Sequence, residues 1–300
     1  MNPHWTNLAT QRLLDLRDPA TGGWRYTAAT VPAVEPSALA ALALWSVRPA
    51  LTAYRQAAEG VAHWFANLQN ADGSLGPSVS LSQPGWPTPF AVWVWRSLGV
   101  HEKAWEMALQ WLIHHGGKTF PRNPENVSQH DTTIPGWAWQ QGTHGWVEPT
   151  ALSLIALKVG GLAAHPRCQE GVSLILDRVL PSGGWNCGNA VVYGRELRPQ
   201  PTSTGLALMA LAGLTPRSQA IEKAIGYLES ILATTHAAQS LGWGLIGLAA
   251  WGQHPTAAGT WLEQASRTAL VRPDAAPRLA MLLLAAYPEL LIASQGTHHG

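Results

Sequence analysis

Two glutamates sit in closely matching settings, Val34-Glu35-Pro36-Ser37-Ala38 and Val147-Glu148-Pro149-Thr150-Ala151, each just ahead of an Ala/Leu-rich run. A carboxyl group at such a point can act as a general acid. It can equally settle the dipole and unpaired N–H groups of a helix start, a contribution of about 0.3–1 kcal/mol. Both readings stand for Glu148, and its twin at Glu35 speaks for the second. Just upstream lies the richest polar cluster, with His130, Asp131, Thr132 and Thr133, then Trp137, Trp139 and His144. Histidine titrates near neutrality and a carboxylate can orient it, so His130 and Asp131 suit an acid–base pair. The same side chains can instead tie the long segment from Lys118 to Val147 to itself. A segment that long without its own periodic pattern is often functional. Arg195 and Arg198 can grip an anion bidentately or serve as surface ion-pair members. No nucleophile elbow is present, so no serine triad is implied.

The elements that must position these groups show up as a repeat. Glycine precedes tryptophan at Gly23-Trp24, Gly85-Trp86, Gly136-Trp137, Gly145-Trp146, Gly184-Trp185 and Gly242-Trp243, and the chain has 16 tryptophans against 5 tyrosines and 3 phenylalanines. The glycines recur with a unit of about fifty residues through the whole chain. In each unit a striped, charge-bearing segment leads into a Gly/Trp loop and then into a segment that is almost wholly apolar. The striped set is Trp5–Arg17, Thr52–Leu68, Glu102–His115, Pro166–Val179, Arg217–Leu232 and Thr256–Leu270. The apolar set is Pro36–Val47, Pro89–Leu98, Pro149–Val159, Thr202–Leu214, Leu241–Trp251 and Pro277–Tyr287. Both are rich in Ala and Leu and poor in β-branched residues, which favours helix over strand.

A helix that is apolar all round must be buried all round, whereas a striped one can face solvent. Six of each in alternation predict two concentric rings, an all-α (α/α)6 toroid occupying residues 1–300 as one domain. The Gly/Trp loops should then gather at one mouth, beside the N-termini of the inner helices. Trp93 and Trp95 lie two apart on one inner helix, so only one of them should reach the central cavity.

Composition narrows the classes further. Lys plus Arg number 19 and Asp plus Glu 18, for a net charge of +1, so no basic excess marks a nucleic-acid binder. Hydrophobic residues make up 46% and charged residues 12%, against disorder. No apolar run reaches the ~18–20 residues of a membrane span, and the N-terminus lacks the pattern of a signal peptide. The expectation is a soluble, cytoplasmic protein with at most peripheral membrane contact. Cys168 and Cys187 are too few for a disulfide framework.

The stretch Leu68-Gln69-Asn70-Ala71-Asp72-Gly73-Ser74-Leu75-Gly76 resembles the glutamine–tryptophan repeat of squalene and oxidosqualene cyclases, and Thr21-Gly22-Gly23-Trp24 and Ser182-Gly183-Gly184-Trp185 resemble shortened copies. The same repeat class occurs in the β-subunits of protein prenyltransferases. The resemblance implies a terpenoid cyclase-like toroid that acts on or binds a polyisoprenoid. In the cyclases an aspartate of an Asp-x-Asp-Asp-Thr motif protonates an alkene or epoxide. That motif is absent here, and aligning Thr150 with the family threonine puts Glu148 at the protonating position. The prenyltransferase zinc ligands are likewise not matched, since Asn186-Cys187 lacks the aspartate, so neither metal nor cofactor is expected.

For a cyclase-like site the resemblance implies Glu148 as proton donor, with Asp131 paired to His130 in reserve. Trp86, Trp137, His144, Trp146, Cys187, Tyr193 and Trp243 are expected to line the mouth of the cavity. A non-catalytic lipid- or protein-binding toroid is one alternative. The other is a carbohydrate-active (α/α)6 enzyme using two of Glu35, Asp131 and Glu148 as paired carboxylates.

Overall fold

The computed structural model describes residues 4–47, 51–122 and 130–293. The apolar segments form α2 (Val34–Val47), α4 (Thr88–Leu98), α6 (Val147–Val159), α8 (Pro201–Leu211), α10 (Ala238–Ala249) and α12 (Ala275–Ala286). Each packs on the next, and α12 packs back on α2, which closes the inner ring. The striped segments form α1 (His4–Asp15), α3 (Thr52–Leu68), α5 (Glu102–His114), α7 (Pro166–Asp177), α9 (Gln219–Ile231) and α11 (Ala258–Leu270), which pack outside it. In α6 every residue from Pro149 to Val159 is buried, whereas α9 buries only Ile221, Ala224, Ile225 and Leu228. That contrast is what all-round and one-sided apolar patterns require. A short α13 (Glu289–Ala293) follows α12. Among the described residues no helix is long and apolar enough to cross a membrane.

A hydroxyl clamp explains the Gly/Trp loops. The backbone N–H of Trp24 donates to Ser37 Oγ at 2.7 Å, and that hydroxyl donates back to the Trp24 carbonyl at 3.2 Å. Thr150 brackets Trp137 in the same way, at 2.9 and 3.3 Å, and Thr204 brackets Trp185, at 2.9 and 3.1 Å. In the second repeat Thr88 brackets Leu75. The indole N–H groups of Trp24, Trp137 and Trp185 donate to carbonyls of the outer helices, at Leu13, Leu112 and Ile175. Each loop is thus pinned between an outer and an inner helix with its buried polar groups satisfied. Because the clamps are equivalent, they set the inner helices of the first four repeats to one level.

The rim is uneven. Long loops (16–33, 69–87, 115–146 and 178–200) precede α2, α4, α6 and α8, while only 232–237 and 271–274 precede α10 and α12. Two small hairpins stiffen the high side: β1 (Trp24–Arg25) pairs with β2 (Pro32–Ala33), and β3 (Val191–Val192) with β4 (Arg195–Glu196).

Candidate functional site

The two glutamates lie inside the first turn of α2 and α6 rather than ahead of the helices, because both helices begin at the preceding valine. Glu35 stands two residues before its clamp hydroxyl and Glu148 two before its own, so they occupy equivalent places on the ring. Trp86 is the equivalent residue between them, ahead of α4. Although α4 separates α2 from α6, Glu148 is near enough for its charge to act on Glu35. Tyr26 Oη donates to Glu35 Oε2, and Ser203 Oγ on α8 donates to Glu148 Oε1 at 2.7 Å. Gln200 Oε1 lies 3.3 Å from the same serine hydroxyl, and Thr202 and Ser240 continue the polar arc at 3.3 Å from one another.

Burial lifts Glu35 above the ordinary carboxyl range, the Tyr26 hydrogen bond opposes this, and the neighbouring charge of Glu148 adds to the rise. Burial first, then the proximity of Glu35, raises the Tyr26 hydroxyl well above its usual range, so Tyr26 stays a neutral donor. The pair therefore combines a carboxyl that tends to hold its proton with a neighbouring carboxylate that helps it do so.

Aromatic rings lie below. Trp93 on α4 meets Trp243 on α10 edge-on, with ring centroids 6.3 Å apart. These two helices stand opposite one another in the ring, so the contact crosses the axis and forms a floor. Trp93 is five residues beyond Thr88, the first residue of α4, which puts the floor roughly 7–8 Å below the start of that helix at about 1.5 Å per residue. Phe90 joins Trp93 to Trp86, at 5.2 and 6.0 Å, and Trp86 meets Trp139 at 5.2 Å. The Trp93 indole N–H is buried and finds no acceptor among the described residues. Trp95 turns the other way and donates to Ala62 of α3 at 2.9 Å, so one of the two tryptophans reaches the axis, as their spacing predicts.

Trp243 was expected on a loop and is instead the sixth residue of α10. The reason is packing: a Cβ on Gly205 of α8 would stand 2.1 Å from the Trp243 carbonyl oxygen, and one on Gly247 would stand 2.6 Å from the Gly205 backbone. The glycines of α10 serve a close helix–helix approach rather than a turn.

The remaining expected residues divide. Trp137 is 3% exposed inside the wall, with its indole N–H committed to Leu112 and the Arg167 guanidinium 4.2 Å from its ring centre, so it supports the loop rather than a ligand. Asp131 does not pair with His130. It pairs with Arg122 and accepts from the Thr133 hydroxyl and N–H, and these contacts, led by Arg122, hold it well below the usual carboxylate range. His130 and His144 line a separate lateral pocket with Trp146, whose ring centre is 4.6 Å from that of His144. Cys187 is exposed at the rim, its carbonyl accepts the N–H of Val147 at 3.1 Å, and burial followed by the charge of Glu148 raises its thiol. Tyr193 occupies the tip between β3 and β4, 79% exposed, away from the glutamate pair. Among the described residues no group of three or more His, Cys, Asp or Glu side chains could hold a metal ion.

Tyr26, Ser203 and Gln200 were not expected at the site. Tyr26, Gln200 and Ser203 carry no motif; Ser203 directly precedes the clamp threonine of α8, where the other repeats have Pro36 and Pro149, and Thr202 is the residue equivalent to Glu35 and Glu148.

No family model matches this chain, and no curated protein matches it in sequence. Its fold does match solved structures. A protein from Actinoplanes superposes with a TM-score of 0.61 at 20% identity, over 90% of this chain and 81% of that one. An inactive variant of α-1,6-mannanase GH76A of Salegentibacter sp. HEL1_6, in complex with α-1,6-mannotetrose, gives 0.61 at 12% identity, over 95% and 99%. The type II terpene cyclase MstE from Scytonema gives 0.40 at 20% identity, over 75% and 77%, too distant to bear on function. The first two likenesses establish the α/α toroid.

Proposed function

We propose that the protein is an acid–base enzyme, built as one toroid over residues 1–300, in which Glu35 is the neutral proton donor and Glu148 the carboxylate that works with it. The observation that carries this reading is the equivalent placement of the two glutamates in the first turns of α2 and α6, where burial, and after it the charge of Glu148, raises the affinity of Glu35 for its proton. Pairs of carboxyl groups whose surroundings push them apart are the usual means of running acid and base chemistry at one pH. Burial and a neighbouring charge make Glu35 a weaker acid than a free carboxyl. It is therefore better matched to an oxygen leaving group than to a bare alkene carbon. In the reaction we propose, the Glu35 proton passes to an ether-type oxygen, the carbon–oxygen bond breaks, and its electron pair leaves with that oxygen. The positive charge left on carbon develops above the Trp93–Trp243 floor, where aromatic faces stabilise cations. Glu148 then removes a proton from the cation or assists the attack of water.

The apolar floor supports a polyisoprenoid carrying an epoxide as substrate, the cyclase-like branch of the reading. The arc of Ser203, Gln200, Thr202 and Ser240 supports a second reading, a glycoside whose hydroxyls those groups would bind while Glu35 protonates the glycosidic oxygen. Incubation with epoxidised polyisoprenoids and, separately, with oligosaccharides, followed by mass spectrometry, distinguishes them. Conversion in one set that disappears in both Glu35→Gln and Glu148→Gln assigns the branch. Conversion that survives both substitutions refutes the pair.

A further inference from the structure

The lateral pocket carries a second assignment. It has a volume of about 370 Å³ and lies between the long loop before α6 and the loop before α8. Neither Glu35 nor Glu148 lines it, so it is distinct from the glutamate site. Among the described residues its polar wall is Lys118, His130, Thr132, His144, Arg178 and Asn189, with no carboxylate, and Phe120, Ile134, Trp146 and Val192 contribute apolar surface.

Arg178 is the unusual member. Its side chain is only 3% exposed, yet Nε and Nη1 have no hydrogen-bond acceptor among the described residues. Nη2 donates to the Asp131 carbonyl at 3.2 Å, and Nη1 lies 3.4 Å from Asp177 Oδ2 without hydrogen-bond geometry. That same Asp177 oxygen already accepts the N–H of Asp131 at 2.9 Å, and the Asp131 carboxylate is taken by Arg122. Burial lowers Arg178 to about 10, as expected for a guanidinium poorly compensated by its surroundings. His130 Nδ1, on the same wall, is also buried without a partner among the described residues. Buried charges are ordinarily paired and hydrogen-bonded, and leaving donors unmet costs free energy. A buried guanidinium with unmet donors and a buried imidazole nitrogen, which donates when the ring is protonated, face one cavity with a lysine at its edge and form a receptor that lacks its acceptor.

We propose that this pocket binds an oxyanion, a phosphate or carboxylate borne on a flat apolar body, with Arg178 as the buried anchor and His130 and Lys118 as further donors. Trp146 and Phe120 would cover the body of the ligand. Guanidinium and ammonium groups suit such anions, and charge-assisted hydrogen bonds are the stronger kind.

The test uses the full chain and calorimetric titration with phenyl phosphate, benzoate and, as the neutral control, benzyl alcohol. Saturable binding of phenyl phosphate or benzoate but not benzyl alcohol is expected, and the tighter of the two anions identifies the head group. Lys118→Ala, at a surface position, should weaken it several-fold, and Arg178→Gln by about tenfold to a hundredfold. Should Arg178→Gln fail to fold, His130→Phe with Lys118→Ala carries the same comparison. Binding should persist in Glu35→Gln, so its outcome is separate from that of the catalytic reading. No saturable binding of either anion, equal binding of benzyl alcohol, or affinity unchanged in the pocket variants would overturn the assignment.

Discussion

Replacing Thr150 with valine tests the clamp that sets the level of Glu148. The side chain is fully buried, and its hydroxyl is both acceptor for the Trp137 N–H at 2.9 Å and donor to the Trp137 carbonyl at 3.3 Å. Valine has nearly the same shape and can do neither. The Trp137 N–H would then be buried without a partner, while the Trp137 carbonyl keeps the N–H of Trp146 at 2.9 Å, so Thr150→Val should cost about 1–3 kcal/mol. Thr150→Ser keeps both bonds and loses one buried methyl, about 1 kcal/mol. Urea unfolding followed by circular dichroism gives both numbers. The same series at Thr204, which holds Trp185, should give the same order. If valine at position 150 falls within about 0.5 kcal/mol of the unmodified protein, the range of a surface change, or if serine is as damaging as valine, the clamp does not hold the loop.

Three further outcomes follow from individual groups. Burial lowers Lys158 to about 7 while its Nζ donates to the carbonyls of Met209 and Ala212 at 2.9 Å each. Between that value and the 10.5 of an ordinary lysine the unfolded chain binds the extra proton, so stability should rise with pH across this window and the rise should flatten in Lys158→Met, read by thermal melts at stepped pH. The sign is opposite for Glu35. Its folded carboxyl holds a proton that the unfolded chain has released, so stability should fall as pH climbs through the raised value, and Glu35→Gln should melt higher than the parent at neutral pH. Trp93→Ala should cost about 3–5 kcal/mol in denaturant unfolding by opening the floor, and a cost below about 1 kcal/mol would mean that Trp93 does not close the axis.

The rings were legible because burial leaves a mark on composition: helices surrounded on all sides, such as α6, have no polar stripe, and helices facing water, such as α9, keep one. The limits of α2, α4 and α6 differ from the sequence reading by two residues or fewer at their starts. Even so, that small shift moves Glu35 and Glu148 from loop positions into the first turn. The clamp was also present in the sequence, as a spacing of thirteen residues from Trp24 to Ser37, Leu75 to Thr88 and Trp137 to Thr150. It becomes readable once the hydroxyl's role is known, and the hairpin insertion between Trp185 and Thr204 obscures its fourth copy. What local pattern could not give was closure. Glu35 and Glu148 are far apart in the chain, and only the ring brings two repeat-equivalent positions near one another. Conversely, His130 and Asp131 are adjacent in sequence but separated in role, because Arg122 reaches Asp131 and leaves His130 facing the lateral pocket.

Burial, with the charge of Glu148 beside it, raises the Glu35 carboxyl above its ordinary range. Carbon-13 NMR of glutamate-labelled protein, titrated through the acid range, measures this at the carboxyl itself. Glu35 should titrate above the ordinary glutamate value of about 4.3, and the midpoint should move down towards it in Glu148→Gln. A Glu35 midpoint at or below the ordinary value, or one that does not change when Glu148 is replaced, would contradict the pair.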